Sequence, residues 1–396
     1  MLRENHYYIF RRKLAFLPGE TGVYLNTLLR AMGMNLVYVF VPLYVFKLTG
    51  RIEAAFLYYA IYHIWVLISV IPSGWLITKI GIDWAEFAGS FIRIFSFIFL
   101  ILGKSNLYFL ALAYMFWGIA VPFTWLPFHY AVVGTEDGDQ SFGKETSWIK
   151  IFDQLAGSLS PLIGGLIIVG FGFSWLYRLA IFLVILSGLP MFFDKFNKRG
   201  MEFKPLRIIN SIKAKENRGF VMAFAGAGIK EVVVSIAWPL FMFLMVAKYE
   251  VIGGIQTAAL LLSLVFLWWL GKKIDQGGSK ILRWGVGVNG FVWLVRSVLT
   301  SPAALFISNV IYGFGGLLLW TPFDALVYKS MLKRRKLEFL VVREIAIHAG
   351  GLFGSILIWQ LIKIGVDWFW IFSIAIFGLA SSLLVAEEEY EDSKKT

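Results

Sequence analysis

The stretch "GKKIDQGGSK", Gly271 to Lys280, is charged and glycine-rich. It lies between two apolar runs, "IQTAALLLSLVFLWWL" before it and "ILRWGVGVNGFVWLV" after it. Glycines beside lysines can cradle phosphate, but a phosphate loop follows a β-strand and closes on Gly-Lys-Ser/Thr. Neither condition is met here. The flanking runs have the length and apolarity of bilayer-crossing segments, so the stretch reads as a polar turn between two spans.

The rest of the chain agrees with that reading. Of 396 residues, 59% are hydrophobic and 16% charged, and the mean hydropathy is +0.73. Soluble domains carry about a quarter charged residues, so this chain is expected in a membrane. Lipid admits helices or closed barrels, and unbroken apolar runs lack a barrel's alternation. The class is all-α and polytopic. The first 21 residues carry Arg3, Arg11, Arg12 and Lys13 with no apolar core behind them, so no cleavable signal peptide is expected. With no cysteine there is no disulfide or thiol chemistry.

Breaks at charged or Gly/Pro-rich segments give twelve spans: 22–46, 54–78, 85–103, 107–131, 147–171, 174–193, 219–246, 251–271, 281–299, 303–328, 341–363 and 366–385. An even number puts both termini on one side. On that side or near it lie 27 Lys/Arg, against five on the other (Lys47, Arg51, Lys104, Lys248, Lys363). The positive-inside rule therefore predicts cytoplasmic termini in a cell membrane. The net charge of +12 is topological, facing lipid headgroups rather than nucleic acid.

The longest polar segment, "DKFNKRGMEFKPLRIINSIKAKENRG" (194–219), separates two six-span halves. The predicted divisions are a terminal segment 1–21, a bundle 22–193, a basic linker 194–218, a bundle 219–385 and an acidic tail 386–396. Three echoes support a duplication. "VPLYVF" (41–46) matches "WPLFMF" (238–243) at an offset of 197, and "GWLITKIG" (74–81) matches "GKKIDQGG" (271–278) at the same offset. "GIAVPFTWLPFH" (118–129) matches "GFGGLLLWTPFD" (313–324) at 195. Six spans per copy make the repeats parallel, an arrangement used by rocking transporters.

With these features the whole chain resembles the major facilitator superfamily. That family's loop signature between spans 2 and 3 is matched in the second half by Gly271, Asp275, Gly278 and Lys280, with Gln276 replacing a basic residue. The first copy keeps Gly74, Lys79 and Gly81, but Thr78 replaces the acid. The resemblance implies that these loops latch one side of the protein during transport, with Asp275 the charged latch. In span 5, "SPLIGG" (160–165) with Pro161, Gly164 and Gly165 is similar to an antiporter signature; close helix packing requires the same small residues. The fold implied is twelve helices in two parallel six-helix repeats, with spans 1, 4, 7 and 10 lining the path.

Ionisable residues inside spans are functional candidates. Lys230 and Glu231 lie near mid-depth in span 7, and span 1 offers Arg30 and Asn35, so an Arg30–Glu231 pair across the halves is one expectation. Spans 4 and 10 carry stripes at helical spacing, Tyr114, Gly118, Val121, Trp125, His129 and Asn309, Gly313, Gly316, Trp320, Asp324. Trp125 and Trp320 offer flat surfaces to an organic substrate, or pack beside the kinking Pro127 and Pro322. His129 and Asp153 are 24 residues apart, as are Asp324 and His348; each is a candidate His–Asp pair that titrates near neutral pH or braces a hairpin. Arg178 and Arg296 are expected to snorkel at span ends, with Arg93 placed deeper.

The function that follows is secondary active transport of a small organic solute by alternating access. A proton or ion gradient drives it, antiport is slightly favoured, and the unit is a monomer without cofactor or metal. A membrane enzyme acting on lipids and a transport-dead receptor or scaffold are the alternatives. Four scattered histidines without cysteine do not make the constellation an enzyme needs.

Overall fold

Prolines and glycines decide where the long apolar helices bend and stop. The computed structural model describes residues 21–134, 155, 157–188, 202–331 and 334–386. Span 1 is a helix Thr21–Val37, a 3-10 turn Tyr38–Phe40 and a helix Val41–Thr49. Span 7 has the same construction: Arg218–Val232, a π-helical turn Val233–Ala237, then Trp238–Val246. In both, a proline (Pro42, Pro239) follows the irregular turn, because its missing N–H breaks the ladder one turn upstream. Gly50 ends span 1 and Gly81 ends span 2 with positive φ of 68° and 90°, a conformation glycine adopts without strain.

The remaining helices are Ile52–Ile80 (span 2), Ile82–Leu102 (span 3), Tyr108–Gly134 (span 4), Ser160–Phe171 (the described part of span 5) and Phe173–Gly188 (span 6). After the linker come Tyr249–Arg296, Pro302–Met331 (span 10), Lys336–Lys363 (span 11) and Trp368–Ser381 (span 12). Among the described residues, eight helices are long and apolar enough to cross a membrane, and two shorter apolar helices fall in spans 5 and 6. No strand occurs among the described residues. This is a multi-pass membrane protein.

The expected turn at 271–280 differs in its local form. Helical backbone is continuous over Tyr249–Arg296, yet this element holds two antiparallel spans. Asn309 of span 10 donates to Gln256 Oε1 at 3.1 Å and accepts from Arg296 at 3.1 Å. In a straight helix those two partners would stand about 60 Å apart. Gly313 faces Ser263 while Gly285 faces Leu318, so the reversal falls between Ser263 and Gly285. Spans 8 and 9 therefore form a hairpin whose reversal lies between Ser263 and Gly285.

The halves meet along two seams. Span 2 packs on span 11, with Gly74 against Val341. Span 5 packs on span 8: Gly165 lies on the Tyr249 carbonyl, Gly253 on the Pro161 carbonyl, and Leu162 N–H donates to Thr257 Oγ1 at 3.1 Å. Leu162 is in the first turn of its helix, so this hydroxyl satisfies an otherwise orphan donor. The linker lies across the terminus-side ends: Phe203 touches Gly74, and Lys204 N–H donates to Glu338 at 3.3 Å.

Candidate functional site

The irregular turns of spans 1 and 7 bring their side chains together. Tyr38 and Ser235 share a hydrogen bond of 2.6 Å at a sequence separation of 197. Both hydroxyls also reach Glu231 Oε1, Tyr38 at 2.9 Å, so their two protons are shared among the three contacts. The partner charge is Lys230, whose Nζ lies 3.8 Å from Glu231 Oε2 and 4.1 Å from the centroid of the Trp320 ring in span 10. Lys230 is buried, so its charge rests on a carboxylate and an aromatic face. Tyr38 is 40% exposed although it bonds the opposite half. A side chain between the two halves cannot face lipid with that surface, so Tyr38 and the partly exposed Glu231 open onto internal space.

Behind this group an aromatic ladder runs along span 2. Tyr59 stacks on Tyr62 with centroids 4.9 Å apart, and both rings lie edge-on to His63 at 4.6 and 4.9 Å. His63 Nδ1 lies 2.8 Å from Nδ1 of His348 in span 11, both residues buried. His348 Nε2 is 3.5 Å from Glu344 Oε2, and Arg343 holds the other Glu344 oxygen at 2.5 Å. Gly351 provides the room, since a Cβ there would overlap the His63 ring. A second bond joins the halves nearer the terminus side, where His129 of span 4 meets Tyr328 of span 10 at 2.8 Å. On the opposite side Phe46 and Phe243 approach to 6.3 Å. The halves are thus in contact on both sides of this group.

No protein-family model matches the chain. A curated Bacillus subtilis (strain 168) relative, the uncharacterized protein YqgE, is 23% identical over 394 residues, covering 94% of this chain and 88% of the relative. Among solved structures, the transporter FucP in its outward conformation superposes with a TM-score of 0.68 at 12% identity, covering 97% of this chain and 99% of FucP. A variant of the E. coli fucose:proton symporter FucP gives 0.64 at 13% identity, covering 94% and 98%. The human organic anion transporter MFSD10 gives 0.62 at 11%, covering 94% and 98%. The chain has the major facilitator fold.

Within that fold several expected partners change. Arg30 pairs with Glu86 of span 3, Nε to Oε1 3.3 Å, rather than with Glu231. Both Arg30 and Glu86 belong to the first half, and Tyr38 and Ser235 already engage Glu231. Asn35 donates to Ala31 of its own helix and fills the space over Gly157. Trp125 stacks on His129 at 5.5 Å. The Asp324–His348 pair does not form, because His348 turns across the seam to His63 and bonds Glu344 of its own helix. Asp153, expected beside His129, lies outside the described residues.

Asn309 and Arg296 also depart from expectation. Asn309 points into the second half, bonded by Trp238, Arg296 and Gln256. Arg296 does not snorkel; it is fully buried, with its guanidinium 3.8, 4.4 and 4.3 Å from the ring centroids of Trp238, Trp293 and Tyr312. Arg178 is exposed and lies over Trp175, whereas Arg93 is buried and donates to Thr124 at 3.4 Å.

Of the loop residues, Thr78 donates to the Trp75 carbonyl at 2.7 Å, and Gly81 ends the span. Lys280 is exposed, and Gly278 precedes it in helical backbone. The Gly271 and Asp275 positions are helical too, with the Asp275 side chain outside the described residues. In "SPLIGG", Gly164 contacts the Leu36 carbonyl of span 1 and Gly165 contacts span 8. Sequence reasoning missed Tyr38, Ser235, His63, Glu86 and Glu344. For Tyr38 and Ser235 a signal existed: they are repeat mates just upstream of the matched prolines.

Proposed function

We propose that this chain is a secondary active transporter that moves a small organic solute across the cell membrane by rocking its halves, with both termini cytoplasmic. The observation that carries the reading is the Tyr38–Ser235–Glu231 group, polar and partly exposed between two halves of major facilitator fold. Polar groups at membrane depth are costly unless they serve a path. Lys230, Glu231 and the Trp320 face supply both signs of charge and a flat apolar surface, suited to a solute with hydrogen-bonding groups and an apolar face. The structural neighbours named as a fucose:proton symporter and an organic anion transporter support transport as the activity. The glycines of "SPLIGG" are occupied in packing, so they add no argument for antiport, and a proton gradient suits either direction of coupling.

A thermal-shift screen of the purified protein against a metabolite panel identifies a ligand, because a compound preferring the folded state raises the melting temperature. Flux of that compound into proteoliposomes then tests transport. Uptake lost in Glu231→Gln supports the site; wild-type protein that binds the compound without moving it overturns the transport reading.

A further inference from the structure

We propose that His63, His348 and Glu344 form a proton-binding site on the span 2–span 11 seam, and that protonation of this site releases the seam. The inference deepens the transport reading by naming the coupling ion and its seat. It begins with hydrogen-bond chemistry. Two imidazole Nδ1 atoms 2.8 Å apart need one N–H and one lone pair between them. Glu344 Oε2 stands 3.5 Å from the other nitrogen of His348, which places a proton on that Nε2. Neutral His348 then presents its Nδ1 lone pair, and His63 donates Nδ1–H. His63 Nε2 is left as a bare acceptor, and it is buried without a hydrogen-bond partner.

Each added proton makes this arrangement worse. One more proton places an imidazolium on His348 and turns His63 into the acceptor. His63 Nε2 must then carry a hydrogen with no partner, and a buried orphan N–H costs more than an idle lone pair. A second added proton removes the last lone pair between the rings, and the contact becomes repulsive. Separation of spans 2 and 11 would hydrate both rings and remove these penalties. The open seam therefore binds protons better than the closed one, and a ligand shifts a conformational equilibrium by that difference in affinity. Linkage makes the effect reciprocal, so closing the seam expels the proton.

The surroundings fit such a site. Span 2 presents Tyr59 and Tyr62 to the pair, and span 11 adds Glu344 and Arg343. Span 7, packed on span 11 through Gly228 and Gly350, carries Lys230 and Glu231. Arg93 of span 3, on the first-half side, is buried and lies over Trp117. Arg343 holds the Glu344 oxygen that does not face His348. The pair also lacks a counterpart in the other seam: at the repeat offset of 197, Leu260 stands where His63 does. Packing alone therefore does not require imidazoles here.

The cysteine-free chain suits spin labelling in nanodiscs. Label pairs at Lys79→Cys/Arg335→Cys and Arg51→Cys/Lys363→Cys report the two ends of the seam. The expected result is a distance change in at least one pair between pH 8 and pH 5.5, absent in His63→Gln and in His348→Gln. No change in the wild type, or a change retained in both variants, overturns the proposal. Should the variants fail to fold, ¹⁵N-histidine spectra of the wild type decide, since the chain has only four histidines. Two ring signals that titrate together between pH 5.5 and 8 support the site; two that never titrate overturn it. Neither readout needs a transported solute, so failed flux with an intact pH response would sink the transport reading alone. Intact flux with no pH response would sink this inference alone.

Discussion

Tyr38 and Ser235 hold equivalent places in the two halves and are hydrogen-bonded to each other at 2.6 Å. Two residues related by the internal repeat can touch only where its pseudo-twofold axis passes between them. Phe46 and Phe243, also 197 apart, meet further along the same helices. The axis therefore runs between spans 1 and 7, and Glu231 lies beside it. Tyr38→Phe and Ser235→Ala each remove one hydrogen bond to a carboxylate, worth about 1.5–3 kcal/mol. Each should lower uptake of the identified solute by roughly tenfold or more; the melting temperature should stay close to wild type in Tyr38→Phe, whose side chain is partly exposed, and fall in Ser235→Ala, whose hydroxyl is buried. Wild-type uptake in both variants would remove this group from the path.

The neighbouring charges make a second prediction. Lys230 is buried and Glu231 is its carboxylate partner. Removing one member of such a pair leaves a charge uncompensated, whereas removing both does not. Glu231→Gln should lower the melting temperature, and Lys230→Met with Glu231→Gln should restore much of the loss. Additive losses in this double-mutant cycle would show that the pair is not coupled.

Glycines of one type should respond in opposite directions. A methyl at Gly351 would overlap the His63 ring, while one at Gly287 meets nothing within 4 Å. Gly351→Ala should cost about 1–3 kcal/mol as spans 2 and 11 are wedged apart. Gly287→Ala should be neutral or stabilise by up to about 1 kcal/mol through helix propensity. Thermal unfolding in detergent compares them, and equal effects would contradict the seam described here.

What the sequence made legible follows from the solvent. A bilayer demands long apolar helices, and matched prolines mark where spans 1 and 7 bend, so the all-α multi-pass fold could be read directly. Partners across the halves could not. His63 and His348 are 285 residues apart, and the even spacing that suggested Asp324–His348 treats each hairpin as closed, although span 11 belongs to the seam. Arg296 misled for a related reason. Its place at a span end suggests snorkelling, but aromatic residues from spans 7, 9 and 10 enclose it.

That enclosure makes a fourth prediction. Arg296 Nε and Nη1 have no hydrogen-bond partner, so the guanidinium is held by three ring faces and one bond to Asn309. A flat delocalised cation stacks on such faces, whereas an ammonium is a compact, strongly hydrated charge. Arg296→Lys should therefore destabilise by about 2 kcal/mol or more, and exceed the loss in Arg296→Met, which keeps volume and removes the buried charge. A milder effect for Lys than for Met would mean that charge, not shape, holds the cage together.

The contact between Phe46 and Phe243 tests whether the halves must part on the side away from the termini. Their ring centroids are 6.3 Å apart, so cysteines at both positions lie within reach of a short thiol-reactive bifunctional reagent, and no native cysteine competes. If the halves rock about the Tyr38–Ser235 contact, linking spans 1 and 7 here blocks exchange on that side. With a bis-methanethiosulfonate as the reagent, each cysteine thiolate forms a disulfide to it and releases methanesulfinate, so uptake into proteoliposomes should fall to background after cross-linking and return on reduction, while ligand binding from the terminus side survives. Each single-cysteine variant treated alike controls for modification. Full uptake by the cross-linked protein would mean that this contact never opens, and would move the path away from the axis.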